Sequence, residues 1–204
     1  MDTLDESWTP AFGNVFTWFA MDKYGRISVM VNNCFGNIPL CILRANGIGE
    51  WLEKINEYMW EESSEYTEYP EDKGGDFVVD LYSCQRFKHR NNREEVEQEL
   101  REDFINFGRE SEINFIVNRG FFEYFALEGG YNDSRDFPIG YNGKTKNGDY
   151  YRYLVPSIYA SINDFPSELH HVIAVSNTLD FTKDRLLDND KINEYFPICY
   201  FQHA

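Results

Sequence analysis

Between Glu50 and Asp72 the chain carries nine acidic side chains, a single base, Lys54, and five large rings, Trp51, Tyr58, Trp60, Tyr66 and Tyr69. Carboxylates steer a cationic partner, and amphipathic rings anchor it once it arrives. The chemistry expected of this stretch is recognition of a basic protein surface. Glu53, Glu57, Trp60, Glu61, Glu62, Tyr66 and Tyr69 are the expected contacts. The plainer reading of the same run is a solvated helix face followed by a polar loop.

Other reactive residue types do not assemble into a motif. His170 and His171 are adjacent, and neighbours on a strand point to opposite faces, so one metal cannot readily take both. Cys34 and Cys41 are six residues apart, wider than zinc signatures use, and no second pair accompanies them. A cysteine nucleophile needs a histidine close by in space, and nothing in the order of His89, His170, His171 and His203 selects one. Asp188-Asn189-Asp190 starts like a calcium loop, but its sixth and twelfth places hold Asn193 and Cys199 where glycine and glutamate are required. The glycines of residues 129–148 lack the strand, lysine and helix context of a phosphate cradle. No catalytic set, metal or cofactor is therefore expected.

A hydrophobic fraction of 42% and an aromatic fraction of 17% are too high for a disordered chain, even at a net charge of −16. That charge repels nucleic-acid phosphates and anionic membrane surfaces, so neither is an expected partner. The 204 residues read as one domain, 1–204. No apolar run approaches the ~20 residues of a spanning helix, and the acidic start lacks the order of a signal peptide. The expectation is a cytoplasmic protein whose four cysteines, Cys34, Cys41, Cys84 and Cys199, stay reduced.

The elements that must carry the acidic stretch are marked by period and punctuation. Residues 14–32 form a hairpin about Asp22-Lys23-Tyr24-Gly25, with Ile27, Val29 and Val31 facing a core and Ser28 and Asn32 facing water. From Asn46 the spacing of Trp51, Leu52, Ile55, Tyr58 and Met59 predicts a helix whose outer face bears Glu53, Glu57 and Glu61. Ser63 to Gly75 reads as a mobile loop. Asp76 to Phe87 contains a β-type run. Asn92 and Glu95 then open a second helix in a capping-box arrangement, with Val96, Leu100, Phe104 and Phe107 as its stripe and Gly108 as its stop. INFIVN, FFEYFALE, YYRYLVPSIYASI and HHVIAVSNTLDF read as β, with a long loop over 129–148, and Leu186 to Phe196 leaves a short helix open. Strands, then helices, then strands predict an α+β fold, a mainly antiparallel sheet with about two helices packed on it.

The segment FTWFAMDKYGRISVMVNNCFGNIP, residues 16–39, resembles uncharacterised bacterial cytoplasmic proteins and immunity-type proteins of polymorphic toxin systems. It shares with them an aromatic strand, an Asp-x-x-Gly turn, an apolar strand and a Gly-x-Ile-Pro exit. The resemblance implies a single-domain protein that neutralises a toxin by covering it. Taken together, the expectation is an acidic protein-binding protein, an immunity protein for a basic toxin being the specific form. The alternatives are a small enzyme or ligand-binding domain with an aromatic-lined pocket, and a structural or oligomerisation protein. Oligomeric state stays open.

Overall fold

The computed structural model describes residues 4–128 and 136–200. In chain order its elements are β1 (Thr17–Met21), β2 (Ile27–Val31), α1 (Leu40–Leu43), α2 (Ile48–Trp60), β3 (Phe77–Val79), β4 (Tyr82–Ser83), α3 (Arg93–Phe107), α4 (Asn114–Val117), β5 (Phe122–Ala126), β6 (Pro138–Ile139), β7 (Tyr150–Pro156), β8 (Ile173–Val175), β9 (Leu186–Leu187), α5 (Ile192–Tyr195) and β10 (Ile198–Cys199). Short 3-10 turns stand at Gly108–Glu110, Ile162–Asp164, Ser167–Val172 and Asn189–Lys191.

Asp22 shapes the first turn. Its Oδ1 accepts the backbone N–H of Tyr24 at 2.9 Å and of Arg26 at 3.0 Å, and Gly25 takes the φ of +80° that closes the reversal. β1 and β2 pair antiparallel across it, as predicted. The hairpin then becomes the middle of an eight-stranded sheet ordered β10-β8-β1-β2-β5-β7-β3, with β9 also on β7. β8 joins β1 in parallel and β5 joins β2 in parallel; the other pairings are antiparallel. The fold is α+β, its sheet mixed but mainly antiparallel.

Central placement corrects one expectation. Ser28 and Asn32 do not face water but are fully buried, on or next to a strand that lies mid-sheet between β1 and β5. Asn32 is satisfied locally, accepting from Phe16 N at 2.7 Å and donating to Asn14 O at 3.2 Å. β5 is buried along its whole length, and Trp18 of β1 meets Tyr150 and Phe196 edge-on at 5.8 and 5.3 Å.

α2 buries Ile48, Leu52, Ile55, Tyr58 and Met59, close to the predicted stripe, against β1 and the Ser167–Val172 turn. α3 starts where predicted. Asn92 accepts from Glu95 N at 2.9 Å, although the Glu95 carboxylate returns to Asn91 N, not to Asn92 N, and Gly108 ends the helix at φ +55°. Its stripe is shorter than expected. Val96 and Leu100 are buried, Phe104 is half-buried, and Phe107 is exposed together with Ile105, because α3 packs on β3 at the edge of the sheet.

Two β expectations are overturned. INFIVN is not a strand: residues 114–117 are α4, drawn into helix by the run of turns that follows Gly108, with Ser111 N donating to Gly108 O and Asn114 N to Ser111 O. His170 and His171 lie in the 3-10 turn that Pro166 opens, and only Ile173–Val175 is strand. The expected 129–148 loop contains β6, which pairs with β4; its residues 129–135 lie outside the described residues. Among the described residues no helix is long and apolar enough to cross a membrane.

Candidate functional site

The irregular segment after α2 forms an arm, and its course is set by charge. Glu61 caps α2 in the left-handed region at φ +59°, turning the chain off the helix axis. Its carboxylate pairs with Arg119 and Arg109. Arg109 also holds Asp72 at 3.1 Å, and Arg119 donates to Pro70 O at 2.9 Å. Lys73 N and Gly75 N donate to Asn118 O and Val117 O, each at 2.9 Å. The expected loop is thus irregular but tied along its length. Arg119, whose Nε has no protein partner, lines a cavity of about 10 Å³, the size of one water.

Between this arm and the 163–168 stretch lies an open cleft of about 610 Å³. Tyr66, Tyr69 and Pro70 from the arm, Tyr58 from α2, and Phe165 and Pro166 opposite supply its apolar surface. The tyrosines pack on one another, Tyr58 with Tyr66 at 5.4 Å and 80° and with Tyr69 at 5.2 Å and 32°. Tyr58 donates to Asp164 O at 3.1 Å, and Tyr69 donates to Tyr66 O at 2.8 Å. Burial pushes the Tyr58 phenol up to about 12, so it stays neutral and its ring face electron-rich. Burial, then the carboxylates of Glu168 and Glu65, raise Tyr66 as well.

Four carboxylates line the same cleft, Glu65, Glu68, Asp164 and Glu168, and the lining includes no basic residue. Two are compensated from outside: Lys54 reaches Glu65 and Lys73 reaches Asp164, each at 3.0 Å. Glu68 and Glu168 form no ion pair among the described residues. They stand on facing walls, Glu68 on the arm and Glu168 in the Ser167–Val172 turn.

Of the contacts expected from sequence, Tyr66 and Tyr69 line the cleft. Glu53 and Glu62 are exposed outside it, and Glu57 is half-buried on α2. Trp60 is 37% exposed and packs on Phe115 of α4 at 4.2 Å, not beneath the arm. Glu61 is not a free charge, since two arginines occupy it. Sequence reasoning missed Tyr58 as a wall residue, having assigned it to the core, and missed the whole facing wall. The available signal was Ser161-x-x-Asp164, a capping box whose two hydrogen bonds both form and which fixes Asp164.

A second cluster lies inside the fold. Glu123 of β5 is 3% exposed, its Oε2 has no hydrogen-bond partner, and burial pushes its carboxyl well above the usual range. The Glu112 carboxylate adds to that rise and the Arg86 guanidinium opposes it. Arg86 binds Glu112 in a fork, at 3.0 and 2.5 Å, while lying over the rings of Phe87, Phe125 and Tyr153 at 5.2 to 5.4 Å. Chemically, burial in this cluster favours the protonated form of Glu123. Among the described residues no group of histidine, cysteine and carboxylate side chains could hold a metal ion. No protein-family model, curated protein or solved structure matches the chain.

Proposed function

We propose that this protein binds a basic partner protein and that the cleft between the arm and residues 163–168 receives a cationic segment of it. The observation that carries this reading is the lining itself: among the described residues it has four carboxylates, no base, and a wall of tyrosines. Unpaired carboxylates at a rim raise the association rate by steering, and rings in the floor lengthen the life of the complex. The hairpin's resemblance favours one form of partner, a cationic toxin that the protein covers and so neutralises. The rival reading, an enzyme with a histidine or cysteine as its reactive group, draws no support from this cleft, whose walls carry neither among the described residues.

The test is a kinetic one, with poly-L-lysine and poly-L-arginine as basic probes and poly-L-glutamate as control. Association with either basic polymer should be fast at low salt and slow by about tenfold or more for the Glu68→Gln, Glu168→Gln double variant. Both positions are exposed, so the double variant should unfold within about 0.5 kcal/mol of the wild type. Equal rates for wild type and variant at low salt remove the cleft from the function.

A further inference from the structure

We infer that the cleft is built for an arginine side chain in particular, a reading that rests on the basic-partner function above. Its charged lining is wholly carboxylate, set beside the neutral polar side chains of Thr67, Asn163 and the tyrosines. Ionised carboxylates only accept, and two of the three tyrosine hydroxyls have already committed their protons, Tyr58 to Asp164 O and Tyr69 to Tyr66 O. What Tyr58 and Tyr69 still offer a ligand is oxygen lone pairs. The complement to such a lining is a group that only donates, and a guanidinium carries five N–H donors and no acceptor.

The apolar half of the cleft separates arginine from lysine. An ammonium is a compact, strongly hydrated charge with three donors, whereas a guanidinium is flat, weakly hydrated and stacks on rings. Tyr66 and Tyr69, half-buried on the arm and propped from beneath by the buried Tyr58, bring ring surface to the cleft on which a planar cation can lie. The protein itself uses this seat. Arg86 lies on three rings while Glu112 takes its fork, and Arg26 lies over Tyr24 and Tyr159 at 4.9 and 5.1 Å while bonding Asp180 at 2.8 Å. In the cleft the rings and the carboxylates Glu68 and Glu168 are in place, and among the described residues no arginine lines it.

Two peptides, identical except for arginine or lysine at three positions in a glycine-serine spacer, test the inference by calorimetric titration at physiological salt. The arginine peptide should bind about threefold to fivefold tighter. Tyr66→Leu should abolish that preference while retaining binding of both peptides. Glu68→Gln with Glu168→Gln should weaken both peptides alike, and circular dichroism checks that each variant is folded. Equal affinity of the wild type for the two peptides overturns the arginine inference and leaves the basic-partner reading standing. Binding of neither peptide overturns that reading too. An arginine preference that survives both the Tyr66→Leu and the double glutamine variants places the preference elsewhere, and the inference fails.

Discussion

Asp80 and Glu68 are both carboxylates in an acidic protein, but their surroundings differ in kind. Asp80, just before the turn into β4, binds Arg152 through Oδ2 at 2.6 and 2.7 Å and Arg185 through Oδ1 at 2.7 and 2.9 Å, and Arg152 is itself buried and donates to Phe181 O at 2.5 Å. Glu68 stands in the cleft with no ion pair among the described residues. Glu123 is a third case: it is buried more deeply than Asp80, and burial pushes its carboxyl up toward the protonated form. The net charge of −16 is therefore not spread uniformly over one type of environment. Asp80 is matched by two arginines and Glu123 is driven by burial toward its neutral form, whereas Glu68 and Glu168 in the cleft are left for something outside the chain.

The largest effect should come from removing an interior partner. Asp80→Ala leaves Arg152 buried without its counter-charge, and should cost about 3–5 kcal/mol in urea unfolding. A loss below about 1 kcal/mol would mean that the interior tolerates unpaired charge as well as the cleft does, and the comparison would break there.

Glu123 comes next, and its effect depends on pH. Its carboxyl is raised in the fold above its ordinary value of 4.5, so the native state keeps a proton that the unfolded chain gives up. Stability from this group is full below 4.5 and falls by about 1.4 kcal/mol per pH unit until the folded carboxyl ionises. Glu123→Gln carries no such proton, so the stability of the variant minus that of the wild type should grow steadily from pH 5 upward. A difference that stays constant from pH 5 to pH 8 would show that Glu123 is ionised in the fold. The smallest effect belongs to the outer face of α2: Glu53→Gln with Glu57→Gln relieves an i,i+4 repulsion and should stabilise by ~0.2–0.5 kcal/mol, read from the shift in denaturant midpoint. A destabilisation there would mean that exposed Glu53 or half-buried Glu57 has a favourable partner after all.

What could be read from sequence was whatever is decided within a few residues. Asp22 with Gly25, Asn92 with Glu95, and the 3.6-residue stripe of α2 are local devices, and each gave its element in nearly the right place. The burial of Ser28 and Asn32 was not legible, because it goes with the mid-sheet place of β2, beside a strand, β5, that lies far downstream. INFIVN has β composition, yet six residues are too few to display a helical period, and the turns after Gly108 outweighed propensity. The cleft divides the same way. Its arm announced itself by composition; its facing wall, about a hundred residues downstream, was marked by nothing more than Pro166 and the Ser161–Asp164 spacing.

The sheet's order also bears on how the chain is made. The β1–β2 hairpin is complete by Val31, but the strands that flank it in parallel begin at Phe122 and Ile173. At synthesis rates of roughly 5–20 residues per second, the nascent ribbon waits several seconds with both long edges unpaired. Until those strands arrive, Trp18, Phe19 and Met30 have little to bury against and each edge is a template for another chain. The acidic stretch from Glu50 to Asp72 is the next to emerge and carries like charge on every copy. In the unfinished protein the acids would keep neighbouring ribbons apart, an electrostatic safeguard in place before there is any cleft for them to line.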